Sequence, residues 1–195
     1  GYEKMSYSNS DIFLENWKQG KTGFPMVDAS MRCLIKNGWL NFRMRAMLVS
    51  FLCHYLEQDW RRGVYYMAKL FLDYEPGIHY TQFQMQAGVT GINSIRVYNP
   101  IKQSKEKDSD ATFIKKWLPE LSSFDLPFIH EPWKLTEFDL INKTIPFFYR
   151  NPIISTDLSR TKVTNQLWSL RSDSMVKNES KRLLRIHVRP KTNNS

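Results

Sequence analysis

Polar and apolar positions along the chain fall into blocks with a period of three to four, the signature of helices packed on one face. Ser10 or Asp11 caps a first helix that ends near Lys18, and Gly20 to Pro25 forms a turn. Pro25 suits the first position of a second helix, Met26 to Lys36, which Asn37-Gly38 terminates. The segment from Trp39 to about Gln58 is the central element, because between Met44 and Leu56 only Arg45, Ser50 and His54 interrupt the apolar pattern. A helix apolar on nearly every side is surrounded by protein. The run is too long and shows too little alternation for a strand. A further helix, Val64 to Leu72, is predicted to turn Tyr65, Tyr66, Met67, Leu70 and Phe71 inward. Asp73 to Gly77 is a turn, and residues 78 to 87 form a short helix carrying Phe83 and Met85. Residues 88 to 110 read as loop, and Thr112 to Leu118 as a short helix stopped by Pro119. Residues 119 to 156 are proline-rich and aperiodic, so they are predicted to wrap the surface. Two closing helices follow, about Asp157 to Arg171 and Ser174 to His187. No strand pattern stands out, and the fold class is all-α with long irregular loops.

The charge changes this picture more than the length does. At 195 residues the chain is about the size of one domain. It carries 28 Lys and Arg against 19 Asp and Glu, a net charge of +9, which favours nucleic acid or another polyanion. Residues 177 to 195 concentrate Lys177, Lys181, Arg182, Arg185, Arg189 and Lys191 against Glu179. That end reads first as a solvated helix and tail, and second as a phosphate contact. Aromatics make up 14%, which suits a core that stacks on itself and also one that stacks on a flat ligand. Cys33 and Cys53 are the only cysteines and both lie in helical patterns, so a reducing intracellular setting, cytoplasmic or nuclear, is expected. The four histidines lack metal-ligand spacing, and no metal site is expected. Residues 1 to 16 are polar and do not read as a leader, and the longest apolar run is far too short to span a bilayer.

The chemistry concentrates on the central helix. Arg43 and Arg45 sit two apart, about 200° around a helix, so they face different surroundings. One points to solvent or a polyanion, and the inward one needs a carboxylate. Asp73 and Glu75 end the next helix, and Arg45 with Asp73 is the preferred buried pair. Such a pair is either a structural salt bridge or the anchor of a ligand site. His79 lies beside Tyr80 and Phe83, either as a satisfied core residue or as a hydrogen-bond partner for a ring nitrogen. The chain contains no glycine-rich dinucleotide loop, no Walker motif, no CxxC and no nucleophile elbow.

Several motifs occur together in one order: Trp17-x-x-Gly20-x-Thr22-Gly23-Phe24-Pro25-x-Val27-Asp28-Ala29-x-Met31-Arg32, Gly38-Trp39, Arg43-x-Arg45 and Asp59-Trp60-Arg61-x-Gly63. Asn99-Pro100-x-x-Gln103, Ile114-x-x-Trp117-Leu118-Pro119-Glu120-Leu121 and His130-Glu131-Pro132-Trp133 follow. In these motifs the chain resembles the cryptochrome/DNA photolyase superfamily over nearly its whole length. The resemblance implies the later part of that family's all-α FAD-binding domain, as a single helical domain over 1–195. The family's N-terminal α/β antenna domain and the early helical part that holds most of the FAD phosphates fall outside it.

The resemblance carries expectations residue by residue. Trp39, Arg45, Asp73 and Glu75 match positions that line the flavin. Phe42 stands where pyrimidine-dimer photolyases have an Asn near flavin and lesion. His79 stands where a residue, usually Asn, faces flavin N5. Arg43 and Arg96 match contacts to DNA phosphates. Ala46 replaces a methionine that touches the lesion, and Met85 replaces a tryptophan that stacks on it. The family's chain of three tryptophans appears as Phe83, Trp60 and Tyr7, so Trp60 and Tyr7 are electron-transfer candidates and Phe83 interrupts the route. Photolyases flip their lesion out of the duplex into an apolar slot, and the altered walls argue against ordinary dimer repair. The implied function is an FAD-dependent, blue-light-driven DNA repair lyase or a light sensor. Two other readings stand beside it. One is a flavin-free helical module binding DNA or protein. The other is one piece of an assembly in which a partner chain or self-association completes the flavin pocket.

Overall fold

In a computed structural model the described residues are 2, 5–141, 143–155 and 165–187. Among them the secondary structure is helical and no strand occurs. Local chemistry sets the first helices. In α1 (Asp11–Gln19) the Ser10 hydroxyl accepts from Phe13 N, and the helix ends at Gly20 with φ +61°. α2 (Pro25–Asn37) starts on the proline ring and ends at Gly38 in the left-handed region. The turn between them is held by buried Asp28, which accepts from Thr22 N at 2.8 Å, Thr22 Oγ1 at 2.7 Å and Gly23 N at 3.0 Å. Burial pushes that carboxyl up to about 7, against the three donors and Arg32, which pull it down.

α3 (Phe42–Ser50) begins later than the sequence pattern suggests, because Asn41 caps it by accepting from Met44 N at 3.0 Å. It then widens into a π-helical turn over Phe51–Tyr55, closed by Leu56 N donating to Phe51 O at 3.1 Å. The single helix expected from Trp39 to Gln58 is therefore two kinds of helix on one axis of burial. The π turn places His54 inside the protein. α1 locks onto this element through Trp17, whose indole N–H donates to Leu48 O at 3.2 Å. α4 (Arg61–Leu70) comes in so close that a Cβ on Gly63 would stand 2.2 Å from Leu52 Cδ2, so glycine is required there. Tyr65, expected to face inward, is exposed and lies under the ammonium of Lys69.

α5 (Pro76–Ala87) is capped by the Glu75 carboxylate, which accepts from Ile78 N at 2.7 Å. α6 (Pro100–Lys107) occupies part of the segment expected to be loop. Asn99 caps it through Ile101 N and Lys102 N, and its proline sits at the first position. α7 (Thr112–Trp117) is pinned by Asp108, which accepts from Phe113 N and Ile114 N. Residues 119–155 run through short 3₁₀ turns and the four-residue α8 (Phe147–Arg150). This stretch does more than wrap the surface, since Leu121, Phe124, Ile129 and Tyr149 are core residues. The first closing helix is described only as α9 over 165–172, its expected earlier part lying outside the described residues, and α10 runs Ser174–His187. Arg189 and Lys191 also lie outside the described residues.

Candidate functional site

One face of α3, the end of α4, the turn after it and one face of α5 enclose a cavity of about 190 Å³. Its walls are apolar: Ala46, Val49, Met67, Phe71 and Phe83, with Phe42, Tyr74 and Ile78 at the mouth. The two arginines of α3 diverge as helical geometry requires. Arg43 is exposed, while Arg45 lines the cavity. Arg45 Nη2 donates to Asp73 Oδ2 at 2.7 Å, its Nε donates to Leu40 O at 2.5 Å, and its guanidinium lies 4.1 Å from the Phe71 ring centre. The hydrogen bond from Arg45 holds the Asp73 carboxyl below the ordinary carboxylate range.

The pair expected from the sequence is present, but it is not buried. The Arg45 side chain is 26% exposed and that of Asp73 is 48% exposed. Asp73 belongs to the turn at the cavity mouth, where water reaches it, so the ion pair faces the opening instead of being sealed under it.

His79 stands on the α5 wall inside a ring of aromatics. Its ring centre lies 5.0 Å from Phe83, 5.4 Å from Tyr74 and 5.9 Å from both Phe71 and Tyr80. Its Nε2–H donates to Val64 O at 2.9 Å, which leaves Nδ1 as the acceptor side of a neutral ring. Burial holds its pKa below the ordinary histidine value and the charge of Arg45 adds to this, against the bond to Val64. Two further residues line the same wall and were not singled out in the sequence. Gln82 Oε1 and Gln86 Nε2 are buried and find no hydrogen-bond partner in the protein. Their only signal in the sequence is spacing, three and seven residues beyond His79.

The other expected site residues distribute as follows. Phe42, Asp73, Glu75 and His79 line the cavity with Arg45. Trp39 does not: it is 55% exposed and sits on the connection before the Asn41 cap, off the wall that α3 presents. Met85 also misses the cavity, because positions 78, 79, 82, 83 and 86 form the face of α5 that lines it. Arg96 is exposed in a separate open groove with Tyr98, Lys102 and the indole of Trp168. Trp60 and Tyr7 come together, lining one pocket with Tyr2, Arg61 and residues of α10. Arg61 lies 5.0 Å over the Trp60 ring. Phe83 is buried and lines the cavity beside His79, with an aromatic ring that is hard to oxidise.

The remaining motifs serve packing. His130 Nδ1 is 2.6 Å from Ser104 Oγ, and Glu131 is bridged by Lys105 and Lys134. Both cysteines are free and buried. Among the described residues no group of three His, Cys, Asp or Glu could hold a metal ion, and no helix is long and apolar enough to cross a membrane.

Comparison with known proteins agrees with this architecture. Residues 1–169 match the family model described as the FAD binding domain of DNA photolyase. The deoxyribodipyrimidine photo-lyase of Alkalihalophilus pseudofirmus is 40% identical over 139 residues, 70% of this chain and 29% of that protein. A cryptochrome DASH of Natronomonas pharaonis is 38% identical over 133 residues, 68% of this chain and 28% of that protein. The crystal structure of an archaeal photolyase from Sulfolobus tokodaii with two FAD molecules superposes with a TM-score of 0.77 at 33% identity. That superposition covers 86% of this chain and 37% of the other. The chain thus spans about a third of the length of the curated relatives it matches. A helical fold with Arg45 lining a cavity, a family model matched across 169 residues and helical photolyase neighbours lead to one conclusion: this chain belongs to the family of the FAD-binding domain of DNA photolyases.

Proposed function

We propose that this chain forms the flavin-facing part of a photolyase/cryptochrome helical domain and acts in blue-light-dependent DNA repair or light sensing. The observation that carries the reading is Arg45, turned back along α3 into an apolar cavity and held there by Asp73, Leu40 O and Phe71. The residues present fit an isoalloxazine. A flat ring needs two apolar faces, which Ala46, Val49, Phe71 and Phe83 supply, and polar atoms at its edge, which Arg45 and His79 supply. The cavity is smaller than the ~300–1,000 Å³ typical of sites that enclose a whole ligand. It therefore suits the ring system, and the phosphates fall to other groups. When bound, FAD supplies light absorption and electron transfer. The protein's own part is to orient the ring, to keep a cation over its edge and to present a neutral His79.

DNA is the proposed substrate or partner. Arg43 is an exposed cation on α3, and Arg96 is an exposed cation on the connection before α6, in a separate groove. With an overall charge of +9, contacts of this kind give a salt-dependent affinity. A second reading has one supporting observation. Phe42 and Ile78 stand largely exposed at the cavity mouth, and Leu72, next to Asp73 in the chain, is also exposed, apolar surface of the kind that another body covers. On that reading a partner chain or a second copy completes the flavin pocket.

The test is a visible spectrum of the protein after incubation with excess FAD and gel filtration, with the elution volume recorded. A yellow protein supports the reading, and a yellow protein only in a larger species supports the completed-pocket form. Colourless protein in every fraction would contradict a pocket formed by this chain alone or by two copies of it, and would leave the flavin-free module or a pocket that a partner chain completes.

A further inference from the structure

The basic end of the chain has no part in the cavity. α10 lies beyond residues 1–169, which match the family model, and none of its residues lines the space between α3 and α5. It packs on the body through one side. Val176 is buried, Ser180 Oγ donates to Gly91 O at 3.1 Å, and Leu183 is half-buried, lining one pocket with Trp60 and Arg61.

The other side is a line of cations. Lys177, Lys181 and Arg185 are exposed at steps of four residues. Each step advances about 6 Å along the helix and about 40° around it, so the three form one stripe turned away from Val176 and Leu183. Glu179 is the only acid of α10, and Arg182 holds it with two bonds, Nε donating to Oε2 at 2.9 Å and Nη2 to Oε1 at 2.6 Å. The three cations of the stripe make no ion pair among the described residues. Helix stability does not account for them all. A cation near the C-terminus complements the macrodipole, as Arg185 does, but Lys177 stands near the N-terminus, where a cation is unfavourable. Nor does α10 present an outward apolar face to a bilayer. Of its exposed apolar residues, Met175 and Ile186 stand on one flank of the stripe and Leu184 on the other.

We propose that α10 is a second nucleic-acid contact, in which Lys177, Lys181 and Arg185 follow the phosphates of one strand of a DNA duplex. Two phosphate steps of a strand cover about 6.8 Å of duplex axis, close to the spacing of the cations, and the long side chains absorb the difference. Contacts of this kind position a duplex and carry no sequence information. The proposal rests on DNA being the partner, and it needs neither the flavin nor Arg45.

Glutamine removes the charge and keeps the helix propensity. The triple variant Lys177→Gln, Lys181→Gln, Arg185→Gln should melt at the temperature of the unchanged chain. Fluorescence anisotropy with an undamaged duplex should show its slope of log affinity against log salt lowered by about 2.7, and that of Lys181→Gln alone by about 0.9. Between about 50 and 200 mM salt the unchanged chain should therefore lose about 40-fold more affinity than the triple variant. The weakening should be alike for unrelated duplex sequences. A control of equal charge, Lys21→Gln, Lys36→Gln, Lys107→Gln, removes exposed lysines elsewhere and should leave the slope in place. An unchanged slope in the stripe variants would overturn the proposal, and the DNA reading would survive if Arg43→Glu and Arg96→Glu still lowered it. An equal fall in the control would also overturn it, because net charge and not the stripe would then set the affinity. If the unchanged chain binds no duplex, the stripe and the DNA reading fall together. Binding to phosphatidylserine vesicles that the triple variant loses, with its duplex slope unchanged, would assign α10 to a membrane surface instead.

Discussion

Replacing Arg45 with methionine separates what this residue does for the fold from what it does for a ligand. The change removes the ion pair to Asp73, the hydrogen bond to Leu40 O and the contact over Phe71. At a half-exposed mouth the ion pair contributes about 0.2–1 kcal/mol. The guanidinium over the ring contributes about 0.5–1 kcal/mol. The bond to Leu40 O contributes about 1 kcal/mol, because water can reach that carbonyl once the side chain is gone. Methionine keeps the apolar stem packed, so the net loss should be about 2 kcal/mol, within the stability of an ordinary domain. Urea unfolding followed by tryptophan fluorescence measures it. Flavin affinity should fall further, by about 10- to 100-fold, since a charged donor to the ring edge is lost. The Asp73 carboxyl, released from Arg45, should also titrate closer to its ordinary range. Unchanged flavin affinity would show that the ring does not lie against Arg45. A stability loss above about 4 kcal/mol would show that Arg45 is a structural strut first.

Three further outcomes follow from the geometry. Burial holds His54 at about 4 against an ordinary 6.5, so below pH 6.5 the unfolded chain takes up a proton that the folded chain refuses. Stability attributable to His54 is therefore complete above pH 6.5 and falls by at most about 3 kcal/mol as pH drops to 4. His54→Gln, which keeps a donor for Gln86 O, should flatten that part of a urea-midpoint profile, and an unchanged profile would refute the assignment. Gly63→Ala should destabilise by about 1–2 kcal/mol because its Cβ would meet Leu52, and a gain in stability would mean that α4 does not approach as closely as described. Arg43→Glu and Arg96→Glu should each weaken duplex binding and lower the slope of log affinity against log salt by about 1. A salt slope left unchanged in both would remove these residues from the DNA face.

Elements with strong local chemistry were legible in the sequence. Ser10, Pro25 and Gly38 mark helix ends, and each does so in the structure, whereas Pro76, read as part of a turn, instead opens α5 two residues earlier than expected. The Asn99-Pro100 start of α6 carries the same kind of signal, but an eight-residue, highly charged helix has too little apolar periodicity to separate it from loop. The divergence of Arg43 and Arg45 follows from 100° per residue, and the need of an inward guanidinium for an acid pointed to Asp73. How wet that pair is could not be read locally, because the turn bearing Asp73 is positioned by α4 and α5. Trp39 was expected beside the flavin through the resemblance alone, and it stands exposed before the Asn41 cap that begins α3. The glutamines of α5 were invisible as site residues, since only the empty space beside them distinguishes them from surface polar positions.

The central claim is that a flavin ring lies between α3 and α5 against Arg45. Amide hydrogen exchange with and without FAD tests it most directly. The account predicts slowed exchange in Phe42–Ser50, Pro76–Ala87 and the turn around Asp73, with Ser174–His187 unaffected. FAD retained by the protein with no protection in α3 and α5, or with protection confined to the 119–134 turns or α10, would contradict it.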